Sequence, residues 1–492
     1  GMWPGLAPLA TAALTGLIIR GILPALLAPL AVVPLLLFVG RCRSPFRSGL
    51  ACFAANLGLL VATFEGALPV MPWAFLPAIL VAGVQAFSAG WLATTLGRRL
   101  PFTVLSIFPA LWALTELIAS RRQLWGQLTS PVSSGYLLVD SPLAPVAATA
   151  GTFGLSFLLF AAGNLLALPF LILSNRRSRN YLRPQAVRVA LAALLPLALI
   201  GASLGLPATA PVAAGQQVRD IPSHFTGRAA SSTTMSVSLV QPALDARLPG
   251  LALNHPAVEE ALLREYRQLL RASAPADLVL LPEGALTPPM LESLASAGVV
   301  GESLIAGAVT SSGNDRYNSA LQLEAGEVVA QYDKIALVPF GERALTPGDR
   351  LVVGSLAGLD LGVLICLDSL YPDLTRQATL AGAGLLAVIS DDSFAGRFAT
   401  AHLHLLATRA RALETGRHVL FVSAWGPSAV ISPRGELIAV SSAFSQEVLK
   451  ARLPVESNDT IYSRWGDTVV LTLVALGPSP LLGSAGAKPR QT

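Results

Sequence analysis

Two regimes of hydrophobic patterning divide the chain. Over residues 1–207, long apolar runs follow one another at about 4–19, 21–39, 49–64, 72–95, 101–120, 150–174 and 188–206. A helix needs roughly 20 mostly apolar residues to cross a bilayer, so this pattern predicts a bundle of about seven transmembrane helices. The first run lacks a basic flank and further spans follow it, so it reads as a span and not as a cleavable leader. An eighth run, 468–482, is shorter, contains Pro478 and Pro480, and is expected to be a last span.

Between these regions the apolar runs shrink to strand length. Residues 208–234 are rich in Ala, Gly, Ser and Thr and read as a linker. Val237–Gln241 and Leu278–Leu281 are short buried strands flanking a helical pattern over about 256–273. Ser303–Val309 is a third strand, and Leu321–Val329 is a hairpin turning at Ala325-Gly326. Leu361–Ile365 runs into Cys366, and Leu385–Ile389 ends at Ser390-Asp391-Asp392. A long helix over about 398–415 is closed by Gly416, and Val419–Val422 and Ala429–Ile431 are further strands. Buried strands alternating with helices predict an α/β or layered α+β domain over 235–467.

Charge sharpens the division. Residues 1–207 hold 13 Lys/Arg and three acidic residues, Glu65, Glu116 and Asp140, whereas 208–467 hold 19 basic and 26 acidic residues. The overall charge of +5 therefore reflects membrane loops and gives no reason to expect a nucleic-acid partner. With the N-terminus in the cytoplasm, the cytoplasmic loops and tail collect 12 basic residues, among them Arg41, Arg43, Arg47, Arg98, Arg99 and the arginines of 176–188. The opposite loops of the membrane half hold only Arg20, Arg121 and Arg122. The positive-inside rule then puts the α/β domain outside the cytoplasm. Three cysteines in 492 residues exclude a disulfide scaffold.

Rare residues carry the chemical signal. The chain has three lysines, and Lys334 lies in a mostly apolar stretch from Tyr332 to Phe340. Cys366 is the one cysteine beyond the membrane half and ends an apolar run, as Glu283 does after Pro282. Each alone has a plain structural reading: a buried thiol, a cap, a surface charge. Together, a carboxylate can activate a thiol as nucleophile, and an ammonium can favour the thiolate and stabilise an oxyanion. His402 and His404, two apart with no cysteine nearby, predict no metal site.

The order Glu283, Lys334, Cys366 resembles the Glu-Lys-Cys triad of the nitrilase (carbon–nitrogen hydrolase) superfamily. That resemblance implies an α-β-β-α sandwich. With the membrane spans, the chain resembles the membrane-bound branch of that superfamily, the apolipoprotein N-acyltransferases. Val338-Pro339-Phe340-Gly341-Glu342, Ser390-Asp391-Asp392-Ser393-Phe394, and His404 ahead of Arg409-x-Arg411-Ala412-Leu413-Glu414 carry the likeness. So do Gly151-x-x-Gly154-Leu155-Ser156-Phe157 and Tyr462-x-Arg464-x-Gly466-Asp467.

The resemblance implies a multi-pass enzyme of the bacterial cytoplasmic membrane with its catalytic domain on the periplasmic or external side. Acyl transfer would run from a phospholipid, through a Cys366 thioester, to the N-terminal amine of a diacylglyceryl-cysteine lipoprotein, with no cofactor. Glu283 would be the base and Lys334 the oxyanion partner; Glu342 and Asp368 would support them, and Phe340, Leu367, Phe394 and Trp425 would line the substrate site. Three departures bear on lipid specificity. Leu367 and Asp368 follow the cysteine where the family has an aromatic and an acid. The stretch from Glu342 to Cys366 is short. Ala424-Trp425-Gly426-Pro427 replaces an asparagine-containing turn. The short stretch keeps open an alternative, a membrane-anchored nitrilase-like amidase or a conjugal-transfer-type protein of the same architecture.

Overall fold

A computed structural model of the protein describes residues 6–65, 72–97, 103–128, 131–174, 234–245, 248–298, 303–393, 399–454 and 457–476. The predicted span 188–206, nearly all of the 208–234 linker, Phe394 and the second half of the 468–482 run lie outside them. The chain forms two compact units, one helical with its C-terminal part starting at Trp465, the other α/β and ending at Arg464.

The helical unit contains helices Leu6–Ile19, Val33–Arg41, Pro45–Phe64, Pro72–Gly97, Thr103–Ala119, Ala147–Ser174 and Thr468–Leu476. Among the described residues, three helical stretches are long and apolar enough to cross a membrane: Pro45–Phe64, Leu76–Gly97 and Ala144–Leu171. The predicted 21–39 span is broken into a 3-10 turn, Ala25–Leu27, and the helices Ala28–Ala31 and Val33–Arg41. Pro24, Pro29 and Pro34 lack the N–H a continuous helix needs, so each sits at or before the start of a new turn. Glu116 is buried in this unit. Its Oε1 accepts from Trp112 Nε1 (2.8 Å) and from Ser134 N (2.9 Å), and its Oε2 accepts from Ser133 Oγ (3.1 Å). A carboxylate away from water needs such donors.

The α/β unit contains two six-stranded sheets. The first runs in the order β12 (Glu447–Pro454), β1 (Thr234–Gln241), β2 (Leu278–Leu280), β3 (Ser303–Ser312), β4 (Asp315–Glu324), β5 (Glu327–Asp333). The second runs β11 (Leu437–Val440), β10 (Ala429–Ile431), β9 (His418–Ser423), β8 (Leu385–Ser390), β7 (Leu359–Ile365), β6 (Val353–Leu356). Strands β1, β2 and β3 are mutually parallel, as are β7, β8 and β9, and hairpins close the edges.

Alternation along the first sheet builds two cores. Val237, Leu239, Leu278, Leu280, Ile305 and Ala320 face the second sheet and share a core with Val363, Leu386 and Leu420. Their neighbours Val240, Val279, Leu281, Leu304, Ala306 and Leu321 face the other way, onto helices Pro256–Ser273 and Pro288–Ser296. In β8 every residue from Leu385 to Ser390 is buried, because helices also cover the outer face of the second sheet. Continuous apolar runs are what parallel strands covered on both faces require. The α-β-β-α sandwich expected from the sequence is therefore present.

Gly307 of β3 shows how tightly this packing holds the segment after β2. A Cβ there would lie 2.3 Å from the Pro282 carbonyl oxygen and 2.6 Å from Glu283 Cα. We expect Gly307→Ala to destabilise the unit by about 1–3 kcal/mol, the usual range for overpacking, and to displace Glu283. A detergent melting curve with an unchanged midpoint would contradict this.

Candidate active site

Four strand ends supply the polar residues of the site. Glu283 follows β2, Lys334 follows β5, Cys366 follows β7, and Asp391 and Asp392 follow β8. Carboxyl ends of parallel strands are where α/β sheets place their binding crevices.

Lys334 is the centre of the cluster and is 1% exposed. Its Nζ donates to Glu283 Oε1 at 2.8 Å and lies 3.1 Å from Glu342 Oε1 and 3.0 Å from Glu342 Oε2. Asn318 Nδ2 donates to the same two carboxylates, at 2.7 Å to Glu283 Oε1 and 2.9 Å to Glu342 Oε1. The backbone fixes the lysine independently. Its N–H donates to the Asn318 carbonyl, and its own carbonyl accepts from Gly348 N, each at 2.8 Å. Burial opposes charge on Lys334, but Glu283 and then Glu342 outweigh it and hold the ammonium well above its ordinary pKa.

The two carboxylates differ in what remains open. Glu342 Oε2 accepts from Val338 N at 2.7 Å and lies 3.0 Å from Lys334 Nζ, so both of its oxygens face the ammonium. Glu283 Oε2 has one protein donor, Asp391 N at 2.9 Å. A carboxylate oxygen offers two lone pairs, so one acceptor position on Glu283 Oε2 is left for a proton.

Cys366 opens a 3-10 turn, Cys366–Leu370, and holds φ +48°, a left-handed conformation that is costly for a residue with a Cβ. Asp368 secures this turn. It is fully buried and accepts from Tyr332 OH (2.7 Å), Ala336 N (2.7 Å) and Ile365 N (3.1 Å). Burial pushes its carboxyl up to about 6 in spite of these donors. The Cys366 thiol is raised well above its ordinary value, first by burial and then by the charge of Glu283, with Lys334 pulling the other way. The resting nucleophile candidate is a thiol and needs a base.

The expected lining residues divide. Phe340 is 46% exposed, holds φ +61°, and stacks under the Arg343 guanidinium at 4.4 Å. Leu367 is half-buried against the inter-sheet core, and Trp425 meets Phe444 edge-to-face at 6.4 Å. Among the described residues, no hydrogen bond or ring contact joins these three to the Lys334 cluster. Asn318 is not marked out by the sequence. It is one polar residue on an alternating strand, and no apolar run ends at it.

Residues 237–461 match the family model described as carbon–nitrogen hydrolase. Several curated relatives named apolipoprotein N-acyltransferase are similar along most of the chain. The protein of Geobacter metallireducens is 27% identical over 91% of this chain and 89% of its own length. That of Methylococcus capsulatus is 27% identical over 92% and 90%. That of Chromobacterium violaceum is 29% identical over 86% and 81%.

Asp391 gives the site a pH signature. Burial, and then the Glu283 charge, push its carboxyl up to about 7. A carboxyl raised on folding is bound to its proton in the native state after the unfolded chain has released it. Its contribution to stability is full below the ordinary carboxylate pKa of about 4 and is lost as pH rises to about 7. Asp391→Asn removes this loss, so its melting midpoint relative to the unsubstituted protein should rise between pH 5 and 8. A constant difference across that range would show that Asp391 does not titrate there.

Proposed function

On the premise that this chain resembles the apolipoprotein N-acyltransferases along nearly its whole length and that residues 237–461 form a carbon–nitrogen hydrolase domain, we propose that it acylates the N-terminus of lipoproteins through a Glu283-Lys334-Cys366 triad. The observation that supports this assignment is the unequal approach of the two carboxylates to the Lys334 ammonium, which meets both oxygens of Glu342 but one of Glu283. Both oxygens of Glu342 face the ammonium, so its role is to hold it, whereas Glu283 Oε2 faces the Asp391 N–H and can take a proton.

The first half-reaction moves the Cys366 proton to Glu283 Oε2. The sulfur attacks the ester carbonyl of a phospholipid, forming a C–S bond and a tetrahedral oxyanion. Of the three ammonium protons of Lys334, two are directed to the carboxylates, and the third faces the oxyanion. Collapse breaks the ester C–O bond, and Glu283 returns its proton to the departing lysophospholipid oxygen. In the second half-reaction the amine of a diacylglyceryl-cysteine attacks the thioester. Glu283 takes the amine proton, the C–S bond breaks, and the proton passes to the thiolate. The logic is ping-pong covalent catalysis. Phe340, Leu367, Phe394 and Trp425 belong to the substrate site in this reading. The amidase alternative is not favoured, since the near-full-length likeness is to the acyltransferases.

The split of basic residues supports a cytoplasmic-membrane location with the α/β domain on the external side. A reporter fused after Ala214 should be active outside the cytoplasm and silent inside it; cytoplasmic activity would reverse the topology.

The triad is tested by mass spectrometry of Cys366 after incubation with phospholipid. An acyl adduct is expected on the unsubstituted protein, and its absence would sink the proposal. Glu283→Gln should abolish the adduct, while Glu342→Gln should still acquire it slowly; the opposite pattern would exchange their roles. Lys334→Arg keeps the charge but cannot place one compact ammonium at the oxyanion, so turnover should fall roughly 10²–10³-fold, as for loss of an oxyanion donor. Near-normal turnover in that variant would make Lys334 structural.

A further inference from the structure

Beneath the candidate nucleophile lies a second buried charge pair that the acyl-transfer scheme does not use. His404, on the helix Ala399–Thr415, is 6% exposed. Its Nδ1 lies 3.0 Å from Asp392 Oδ1, and its Nε2 lies 3.2 Å from the carbonyl oxygen of Cys366 and 2.8 Å from Ser369 Oγ. Ser369 Oγ in turn donates to the Cys366 carbonyl at 2.8 Å. Asp392 also accepts from Ser423 Oγ (2.7 Å) and Ser390 Oγ (3.2 Å). Phe421 closes one side of the imidazole edge-to-face at 5.0 Å.

The contacts point to a donor at each ring nitrogen. Ser369 has one hydroxyl proton for two neighbours at 2.8 Å, the Cys366 carbonyl and His404 Nε2. With that proton on the carbonyl, Nε2 faces two oxygens and completes the network as a donor. Nδ1 faces the Asp392 carboxylate, an acceptor, with Ser390 Oγ at 3.4 Å beside it. Burial alone would raise Asp392, but the His404 charge and the three side-chain hydrogen bonds hold it below the usual carboxylate range. The other charged or titratable groups around this network are Cys366 itself, Asp391 beside Asp392 and, beyond them, Glu283 and Lys334.

We propose that His404 is a positioning residue for the nucleophile: an imidazolium that clamps the Cys366 carbonyl and cancels the Asp392 charge beneath the thiol. Both effects act on the same residue. The clamp fixes the peptide that follows a left-handed Cys366, where backbone strain would otherwise let the thiol turn away. The cancellation matters because a bare Asp392 carboxylate would oppose formation of a second negative charge on sulfur. Asp392 fixes the ring through Nδ1 and, through Ser423, reaches the turn at Gly426, whose N–H donates to Ser423 Oγ at 3.0 Å.

This inference rests on Cys366 being the nucleophile, but its test needs no lipid. The full-length protein in detergent is treated with iodoacetamide across pH 6–10, and alkylation is followed on the Cys366 peptide by mass spectrometry. His404→Gln should slow alkylation at pH 8 about tenfold, the effect of one pH unit on the thiolate fraction. Adding Asp392→Asn to that variant should restore most of the rate, because the uncancelled charge is gone. An unchanged rate in folded His404→Gln, or a double variant as slow as the single, overturns the proposal. Should His404→Gln not fold, the unsubstituted protein labelled with ¹⁵N-histidine decides the matter. His404, assigned by elimination from His224→Gln, His255→Gln, His402→Gln and His418→Gln variants, should show both ring nitrogens protonated at pH 7; a single protonated nitrogen overturns the proposal. Failure of Cys366 to take an acyl group from phospholipid, with these alkylation contrasts intact, would instead count against the acyl-transfer reading.

Discussion

The site depends on one buried ammonium shared by two carboxylates. Lys334 is 1% exposed, and its charge is stable there only because Glu283 and Glu342 flank it. Removing one partner of a buried ion pair typically costs about 3–5 kcal/mol, since the remaining charge is left uncompensated. Here the cluster has one cation and two anions, so the surplus negative charge also needs donors. Asn318 Nδ2 supplies one to each carboxylate, and the backbone N–H groups of Val338 and Asp391 supply one more each. These donors come from the loops after β5 and β8 and from β4, so the charge balance ties both sheets to one point.

The fold delivers this arrangement through its strand ends. Strands β2 and β7 are parallel members of different sheets, and each releases a candidate catalytic side chain where its ladder stops. A glycine at position 307 lets the Glu283 backbone sit directly on β3. Asp368 does the equivalent for Cys366, drawing together Tyr332, Ala336 and Ile365 from either side of the inter-sheet core. The same carboxylate that caps the Cys366 turn thus accepts from residues on both sides of Lys334. Cysteine and lysine positions are coupled through backbone contacts, not only through charge.

This geometry explains which residues were legible in the sequence. Glu283, Lys334 and Cys366 stood out because each interrupts or ends an apolar run, and such runs are what buried strands look like. Asn318 and Gly307 sit inside strands and leave no such mark. Strand β12 was missed because Glu447, Lys450 and Arg452 break its apolar pattern, as suits the edge of a sheet. Strand β6 and the start of β7 were missed because Ala357-Gly358 turns a hairpin inside a stretch too short to show two periods. In the helical half, hydropathy located the apolar material but not its breaks. Proline positions decide those, and the 21–39 run is three pieces for that reason.

The charge inventory around Cys366 also bears on why the thiol rests protonated. Glu283 and Asp392 both oppose a thiolate, Lys334 favours one, and burial opposes it most. A permanently ionised sulfur would be open to oxidation and to any electrophile that reached it. A thiol that ionises only while handing its proton to an adjacent carboxylate is reactive when an acyl carbonyl is in place to accept the sulfur, since the negative charge then moves onward to an oxygen facing the ammonium. In the proposed scheme, the surplus of acid over base in the cluster therefore makes nucleophilicity conditional on the substrate. In that scheme, a Glu342 with both oxygens on the ammonium leaves the proton transfer to Glu283.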